Sequence, residues 1–474
     1  MEVEAAWPLD FGVELAGARL LVVRVDYQDD RAERYLLPAA CQTLSGTLPQ
    51  SDIAIAAVQT SAGRSLGQVI DAGTEPAFAT WLIRAIERGE PVRVEGGELS
   101  FWHSPRLTQV TSVNAGQLAP RASTTQQSNT SLIYGTACIF KLFRRMEWGL
   151  NPDLEVSRFL SDSASYAYTP PVLGTLEYRD SSRGRASLGL LQVLVPHAVT
   201  AWEWTLDRLT EHLRRTSSDT SATLDTSEFA RLGQRTGELH VALASSTHAD
   251  FAPEPFTPAE QQRTLEKIHG QVVENLQLLR RVAPTLPAPA KALAQQVLER
   301  ERQLIGRLRG FELEMIRGSR IRCHGDYHLG QVLSSASDFW IIDFEGEPTR
   351  SLAERRAKRS PLVDVAGMLR SFHYASAQAV IQLRDAEQPA AADLASMKRT
   401  ARDWHRSVCA EFLAAYRRAV SPAGVLPDEQ ASQLLLEVFL LEKAVYELHY
   451  ELNNRPDWVE VPLAGLVDLL SDER

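Results

Sequence analysis

Apolar and polar residues alternate in the first part of the chain, and this pattern predicts short strands. The segments Ala18–Tyr27 and Glu33–Pro38 are rich in β-branched and aromatic residues and are separated by a polar turn, so they predict a β-hairpin. Residues 77–88 instead repeat their apolar positions at helical spacing, with Phe78 and Ile86 on one face. This spacing predicts a helix that buries that face.

A second group of predicted strands follows, and one of them carries a cation. Residues 137–143 alternate, so Lys141 is expected on the face opposite its two apolar neighbours. Asn151 has the character of a helix N-cap and precedes a proline at the first helical position, which places Glu155 one turn into the helix. Residues 188–195 form a nearly continuous apolar strand that a proline stops.

From residue 228 onward the pattern is mostly helical. Apolar positions recur at helical spacing in residues 229–244, 259–282, 288–316, 396–420 and 429–454. We expect residues 288–316 to form one long, charged helix. His240 lies among apolar residues in the first of these segments, and we interpret it as a core histidine with satisfied hydrogen bonds.

The composition excludes several classes of partner. The chain has 474 residues, more than one ordinary core needs, so we expect more than one subdomain. A formal net charge of −10 argues against nucleic acid or an anionic membrane as the partner. The four cysteines show no paired spacing, which predicts neither a zinc site nor a disulfide framework and favours a reduced, cytoplasmic location. No run approaches the ~20 apolar residues that span a bilayer.

The residues that carry candidate chemistry lie between positions 321 and 345. Asp326 lies in a polar turn, and Asp343 ends an apolar run seventeen residues later. Phosphoryl transfer requires a group that positions a hydroxyl and oxygen ligands that hold Mg²⁺. Asp326, Gln331 and Asp343 offer a base, an amide oxygen and a second carboxylate.

Two other interpretations of this stretch remain open. His324, Asp326 and His328 offer three ligands on one turn, as in a metal-dependent hydrolase. The stretch also fits an ordinary polar turn between two strands, because Asp and Gly are common turn residues. A hydrolase would explain neither Asp343 nor Lys141, so we favour phosphoryl transfer.

The stretch resembles the catalytic segment of the aminoglycoside-phosphotransferase-like kinases and, more closely, that of the maltokinases, including those fused behind trehalose synthase. The matching motifs are His-Gly-Asp-Tyr-His-Leu-Gly-Gln-Val at 324–332, Ile-Ile-Asp-Phe-Glu-Gly-Glu-Pro at 341–348 and Arg-Ser-Pro-Leu-Val-Asp-Val-Ala-Gly-Met-Leu-Arg-Ser-Phe at 359–372. Gln331 stands where the wider kinase group has asparagine.

This resemblance implies an α+β protein with a bilobal, eukaryotic-type protein-kinase-like fold. The implied subdomains are an N-terminal cap over residues 1–117, a kinase N-lobe with its hinge over 118–205, and a mainly helical C-lobe with the catalytic loop and sugar site over 206–474. ATP and Mg²⁺ are the implied cofactors.

The resemblance also implies roles in the C-lobe. Asp326 would accept the proton of the acceptor hydroxyl, and Gln331 and Asp343 would hold Mg²⁺. Glu345 is a further candidate metal ligand. Asp364 resembles the aspartate that supports the catalytic loop of kinases.

In the N-lobe, Lys141, oriented by Glu155, would contact the ATP phosphates. The usual glycine-rich phosphate loop is missing, so the phosphates would be covered by Ser128, Asn129, Thr130 and Ser131. Backbone groups of the hinge at Val193 and Val195 would meet adenine.

The acceptor sugar would be bound largely by the C-terminal segment, because carbohydrate sites combine aromatic faces with fixed hydrogen-bonding groups. The candidate substrate residues are Asp326, His328, Arg370, Tyr446, Tyr450, Asn453, Asn454 and Trp458. An aromatic stripe at a helix end is the structural alternative for the last five.

The activity that the resemblance implies is conversion of maltose and ATP into maltose 1-phosphate and ADP, feeding glycogen or α-glucan synthesis from trehalose. The implied partners are a small sugar and a fused or associated trehalose synthase. Two alternatives stay open, namely a kinase for a monosaccharide such as glucosamine and a nucleotide-binding pseudokinase. The motifs at Asp326 and Asp343 do not separate maltose from glucosamine.

Overall fold

The structure is a computed structural model that describes residues 3–43, 53–59, 61, 65–114, 118–123, 129–164, 166–216, 225–336 and 338–471. The chain divides into two compact units. The N-terminal unit comprises residues 1–163 and 169–196, and the C-terminal unit comprises residues 164–168 and 197–474. Within the described residues, no helix combines the length and the apolar composition that crossing a lipid bilayer requires.

The described part of the N-terminal unit consists mainly of strands. These are β1 (Val3–Leu15), β2 (Ala18–Tyr27), β3 (Ala32–Thr43), β4 (Ala54–Gln59), β5 (Ser65–Asp71), β6 (Val92–Val94), β7 (Gly97–His103), β8 (Pro120–Ala122), β9 (Thr130–Tyr134), β10 (Cys138–Leu142), β11 (Val172–Asp180) and β12 (Gly184–Val193). Its helices are α1 (Pro76–Arg88), α2 (Pro105–Val113) and α3 (Pro152–Asp162).

These strands form two sheets. The first has the order β1-β2-β3-β5-β4, and its β2 and β3 are antiparallel neighbours, which confirms the predicted hairpin. The second has the order β6-β7-β11-β12-β10-β9-β8. Helix α1 confirms the predicted helical spacing, and Phe78, Leu82 and Ile86 are buried in the core beneath the second sheet.

The second sheet contains strands from both sides of residue 117, where the sequence predicts a boundary between cap and N-lobe. Strand β7 precedes that residue, yet it pairs along its whole length with β11, which follows it. The division between the two units falls at residue 196 instead of 205, and residues 164–168 belong to the C-terminal unit. Long-range strand pairing therefore sets this domain division, and sequence composition does not report such pairing.

The described part of the C-terminal unit is mainly helical. Its helices are α4 (Ala201–Thr216), α5 (Ser227–Leu243), α6 (Pro258–Val282), α7 (Ala288–Glu299), α8 (Glu301–Leu313), α9 (Leu352–Arg356), α10 (Leu362–Glu387), α11 (Ala391–Val420), α12 (Glu429–Asn454) and α13 (Glu460–Ser471). Its short strands are β13 (Val199–Thr200), β14 (Glu254–Pro255), β15 (Ser319–Arg320), β16 (Val332–Ser335) and β17 (Asp338–Ile341).

Close helix packing builds the core of the C-terminal unit. Helices α5 and α11 approach closely at Gly233, where an added Cβ would overlap the carbonyl oxygen of Phe412. The Phe229 and Phe372 rings meet edge to face at 5.4 Å, and Phe372 meets Phe412 at 5.5 Å. This aromatic cluster joins α5, α10 and α11 into one layer.

The prediction that residues 288–316 form a single long helix is wrong. Arg300 leaves the helical conformation, with φ −100° and ψ 15°, so that α7 ends before it and α8 begins after it. Helix α7 packs on α13, whereas α8 packs on α6 and α12. The chain therefore breaks at Arg300 so that each helix can pack on its own partners. The charged sequence around Arg300 contains no glycine or proline that would indicate this break.

Candidate active site

The loop that carries Asp326 is fixed by a buried carboxylate of α10. Asp364 Oδ2 accepts from the His324 backbone N–H at 2.8 Å, and Oδ1 accepts from the Gly325 N–H at 2.9 Å. His240 Nε2 lies 3.1 Å from Oδ2 and donates to it. Burial opposes ionisation of this carboxyl, but the His240 and backbone donors outweigh it and lower the pKa of Asp364. Asp364 therefore holds the loop as a carboxylate.

His240 links this carboxylate to the helical core. Its Nδ1 lies 3.0 Å from the Tyr416 hydroxyl, which donates to it when Nε2 donates to Asp364. The side chain is fully buried. The interpretation of His240 as a core histidine with satisfied hydrogen bonds is confirmed.

A glycine lets the loop lie directly on α10. A Cβ at Gly367 would lie 2.5 Å from the carbonyl oxygen of Tyr327, so no larger side chain fits without moving the loop. The Tyr327 ring is buried, and its hydroxyl lies 2.8 Å from that of Thr236 on α5. The residue that follows Asp326 is thus held by two helices.

Asp326 projects from this fixed loop into a cavity. Its side chain is 21% exposed, and its Oδ1 lies 3.2 Å from Lys443 Nζ. His328 Nε2 lies 3.8 Å from the other oxygen. Burial alone would raise the pKa of Asp326, but the Lys443 ammonium and the neighbouring histidines lower it below the ordinary value. Asp326 is therefore an ionised carboxylate at neutral pH, as a general base must be.

Lys443 on α12 is a site residue that the sequence did not reveal. Its ammonium lies 3.6 Å from Glu347 as well as beside Asp326, and 5.1 Å from the centre of the Tyr446 ring. Burial opposes the charge, but the two carboxylates raise the pKa of Lys443. Lys443 and Asp326 are 117 residues apart, so no local motif joins them.

The cavity at Asp326 lies within the C-terminal unit and has a polar wall. The described residues that line it are Gln271, Gly325, Asp326, Tyr327, Glu347, Arg350, Arg359, Val363, Gly367, Phe439, Glu442, Lys443 and Tyr446. Among the predicted substrate residues, this set contains Asp326 and Tyr446. A polar cavity with a carboxylate base and an aromatic ring has the chemistry that a sugar needs.

Gln331 and Asp343, two of the three predicted metal ligands, lie at one end of the β16–β17 hairpin. The Ile342 N–H donates to the Gln331 carbonyl oxygen at 3.0 Å, which places Gln331 beside the residue that precedes Asp343. Asp343 has a φ of 68°, a left-handed conformation that aspartate tolerates better than most residues. An amide oxygen and a carboxylate fit Mg²⁺, which prefers oxygen ligands. Glu345 follows on the same turn, where its carbonyl oxygen accepts from Arg355 at 3.2 Å.

The hydrogen bonds of His324 argue against the metal-hydrolase interpretation. Its Nε2 lies 2.9 Å from the Ile342 carbonyl oxygen and therefore donates to it. Its Nδ1 accepts from the Asp326 N–H at 3.4 Å. Because backbone groups use both ring nitrogens, His324 is a structural link between the loop and the end of β17.

His328 and Arg370, two further predicted substrate residues, have structural contacts. His328 Nδ1 accepts from the Gly330 N–H at 3.0 Å and caps a turn. The Arg370 guanidinium is buried and donates to Glu447 at 2.6 and 2.9 Å. Arg370 thereby joins α10 to α12 and is not among the described residues of the cavity wall.

The end of α12 differs from the predicted sugar platform. Tyr450 is 40% exposed, and the Arg455 guanidinium lies 5.2 Å from its ring centre and 5.3 Å from that of Trp458. The Asn453 and Asn454 side-chain amides donate to backbone carbonyls one helical turn earlier. These four residues are absent from the described cavity wall, and their role in sugar binding stays a prediction.

In the N-terminal unit, Lys141 occupies the predicted face of β10. Its neighbours Phe140 and Leu142 are buried on the opposite face. Lys141 Nζ lies 3.1 Å from Asp153 Oδ2 on the first turn of α3, whose N-cap is Asn151 as predicted. The sequence pointed to Glu155, a buried residue of the same turn, and its pairing with Lys141 stays a prediction.

The predicted phosphate loop lies partly outside the described residues, which do not include Ser128. The Asn129 and Thr130 side chains accept from Arg144 at 3.2 and 2.8 Å. Ser131 lies directly across the strand pair from Lys141. Arg144 therefore binds the side chains of two of the four residues predicted to contact the phosphates. Of the three that the structure describes, Ser131 is the one that lies beside Lys141.

The backbone amides of the predicted hinge are partly engaged within the N-terminal unit. The Val193 N–H donates to the Pro171 carbonyl at 3.0 Å, and the Leu194 N–H donates to the Ala137 carbonyl at 3.0 Å. Contact between adenine and the backbone at Val193 or Val195 stays a prediction, and it would have to use the carbonyl oxygens or the Val195 N–H.

Comparisons with known proteins find relatives among the glucosamine kinases. The chain is 26% identical over 355 residues to a glucosamine kinase of Streptacidiphilus jiangxiensis, across 73% of this chain and 72% of that protein. It is 24% identical over 353 residues to a glucosamine kinase of Mycolicibacterium smegmatis, across 74% of this chain and 80% of that protein. No family profile matches the sequence.

Solved structures show the same fold. A glucosamine kinase in complex with glucosamine, ADP and inorganic phosphate superposes with a TM-score of 0.64 at 21% identity, covering 98% of this chain and 93% of that one. The chain has a protein-kinase-like α+β fold. A second crystal form of glucosamine kinase gives a TM-score of 0.66 at 20% identity, over 99% of this chain and 94% of that one. The kinase-like fold makes the mainly helical C-terminal unit, with its Asp326 loop, the C-lobe.

Proposed function

We propose that this chain transfers the γ-phosphoryl group of ATP to a hydroxyl group of a sugar. The observation that carries the proposal is the ionised Asp326 carboxylate, which Asp364 fixes at the wall of a polar cavity. The named relatives support a sugar as the acceptor, because both are kinases of glucosamine. The kinase-like fold supports ATP as the donor.

Asp326 acts as the general base of this reaction. The acceptor hydroxyl donates a hydrogen bond to Asp326, and the proton moves to the carboxylate as the sugar oxygen bonds to the γ-phosphorus. The bond between the γ-phosphorus and the bridging oxygen breaks, and ADP leaves with that oxygen. Because Asp364 and Gly367 fix the loop, the base is positioned before the sugar binds.

The charge of the phosphates needs cations. Mg²⁺ held by the Gln331 amide oxygen and the Asp343 carboxylate would supply part of that charge. In the N-terminal unit we assign Lys141 to the phosphates, with Asp153 keeping its ammonium in place. Lys141, Asp326 and Asp343 are all present, which argues against the pseudokinase alternative.

Two acceptors are candidates. Glucosamine is the substrate that the names of the relatives support. Maltose is the second candidate, because the motif resemblance favours it and because Tyr446 places an aromatic ring on the cavity wall. A link to trehalose synthase rests on the motif resemblance alone.

A panel of acceptors tests the proposal. The purified chain is incubated with ATP and Mg²⁺ and with maltose, glucose, glucosamine or an aminoglycoside, and ADP release and phosphorylated sugar are both measured. We expect one of the three sugars to be phosphorylated with one ADP formed for each sugar phosphate. ATP binding without any phosphorylated product across the panel would instead support the pseudokinase alternative.

A further inference from the structure

The cavity at Asp326 has a balanced set of charges. Its described wall contains three carboxylates and three cations, which are Asp326, Glu347, Glu442, Arg350, Arg359 and Lys443. A site that binds a cationic ligand usually keeps a carboxylate for the ligand. The ion pairs among these wall residues therefore indicate whether the cavity can bind a charged sugar.

Each of these carboxylates already has a cation of the chain as its partner. Lys443 Nζ lies 3.2 Å from Asp326 and 3.6 Å from Glu347, between the two carboxylates. Arg359 donates to both oxygens of Glu442, at 2.8 and 3.1 Å. Arg350 pairs with Glu347 and lies 3.8 Å from Glu442. The described wall has no charge left over for a cationic ligand.

We propose that Lys443 is a specificity-determining residue that makes the cavity select an uncharged sugar over an amino sugar. Its ammonium occupies the position between the Asp326 and Glu347 carboxylates that the ammonium of an amino sugar would need. This inference rests on the proposed function and chooses between its two acceptors. It favours maltose or another uncharged sugar over glucosamine, although glucosamine is the acceptor of the two named relatives.

The reason is the position of the Lys443 charge. A hydroxyl needs no opposite charge and can share Asp326 with Lys443, because a carboxylate accepts several hydrogen bonds. The ammonium of an amino sugar in the same cavity meets a fixed like charge, and both carboxylates near it are already neutralised. Selection by a repulsive group inside the site is a common route to specificity.

Glucose and glucosamine test the proposal, because they differ only in a hydroxyl or an ammonium at one carbon. The values of kcat/KM for glucose, glucosamine and maltose are measured for the wild type, Lys443→Met and Lys443→Arg. Methionine keeps the length of the side chain without its charge, and arginine keeps the charge. The ratio between uncharged and amino sugar is the readout, because a general loss of structure or of base strength lowers both rates together.

We expect the wild type to prefer an uncharged sugar over glucosamine by about tenfold or more, which corresponds to ~1.4 kcal/mol. Lys443→Met should reduce this ratio by a similar factor, and Lys443→Arg should retain it. A wild type that prefers glucosamine overturns the proposal, whether or not the variants fold. A ratio unchanged in Lys443→Met also overturns it. If no sugar is phosphorylated by the wild type, the proposed function itself fails, which is a different result.

Discussion

Lys443 of α12 and Asp326, on the loop that Asp364 fixes, form an ion pair, with Nζ 3.2 Å from Oδ1. The pair helps to keep Asp326 ionised, because burial raises the pKa of Asp326, and the Lys443 ammonium together with His328 and His324 more than offsets that effect. Without that charge, protonation of Asp326 would become easier. We therefore expect the pair to set the acid limit of the proposed reaction.

Replacing the lysine tests this relationship through pH. In Lys443→Met the pKa of Asp326 should rise, so the acid limb of the kcat/KM profile should move to higher pH by about one unit or more. The profile is measured with the best acceptor at saturating ATP, and Lys443→Arg serves as the control that keeps the wild-type limb. An acid limb that stays in place in Lys443→Met would show that Lys443 does not control the base.

Replacing the buried Asp364 should destabilise the fold. Asp364→Asn leaves His240 and two backbone N–H groups with a weaker acceptor, so the free energy of unfolding should fall by about 3 kcal/mol. Denaturant unfolding measures it. The control is Asp385→Asn, which removes an exposed pair with Arg384 and should cost less than about 1 kcal/mol. Equal effects of the two substitutions would contradict the assigned role of Asp364.

The same carboxylate predicts a pH dependence of stability. The folded-state pKa of Asp364 is lowered from its ordinary value of 3.8. The stabilisation is therefore complete above that ordinary value and is lost as pH falls through the folded-state pKa. Wild-type stability should fall more steeply in acid than that of Asp364→Asn, and parallel acid curves would contradict this assignment.

The cavity wall predicts different roles for two tyrosines of α12. Tyr446 lines the cavity, whereas Tyr450 is exposed beside Arg455. Tyr446→Ala should raise the sugar KM by about tenfold, or ~1.4 kcal/mol, and leave the ATP KM unchanged. Tyr450→Ala is the matched control and should leave both constants near their wild-type values. A larger increase of the sugar KM in Tyr450→Ala than in Tyr446→Ala would instead support the sugar-binding surface that the sequence predicted at the end of α12.

The ion pair in the N-terminal unit predicts an effect on ATP. Lys141→Met should lower kcat/KM for ATP by about tenfold or more, because it removes a charged hydrogen-bond donor assigned to the phosphates. Asp153→Asn should act in the same direction, since Asp153 lies 3.1 Å from the Lys141 ammonium. Lys291→Met on the exposed surface of α7 is the control. A normal ATP dependence in Lys141→Met would remove Lys141 from the site.

Local sequence predicted the features that depend on neighbouring residues. The α1 face, the β2–β3 hairpin and the Asn151 cap each need only a few adjacent side chains, and the structure contains all three. The motif around Asp364 also pointed to support of the catalytic loop, and the hydrogen bonds to His324 and Gly325 agree.

Features that depend on tertiary packing were not predictable in this way. Spacing cannot choose between Asp153 and Glu155 as the partner of Lys141, because both lie on the first turn of α3. No pattern connects Lys443 with Asp326, since α12 reaches the loop only through the fold. The Arg455 side chain engages Tyr450 and Trp458 away from the described cavity wall, and the periodicity of α12 does not show that contact.

The role of Asp326 as the general base can be tested by a ³¹P NMR measurement of the reaction of the purified chain with ATP, Mg²⁺ and its best acceptor from the panel. For the wild type we predict a new sugar-phosphate signal that grows as the γ-phosphate signal of ATP disappears. Asp326→Asn should still bind ATP but form this product about a thousandfold more slowly, because a positioned general base contributes roughly 10²–10⁴ in rate. A sugar-phosphate signal that grows at the wild-type rate in Asp326→Asn would show that Asp326 is not the general base.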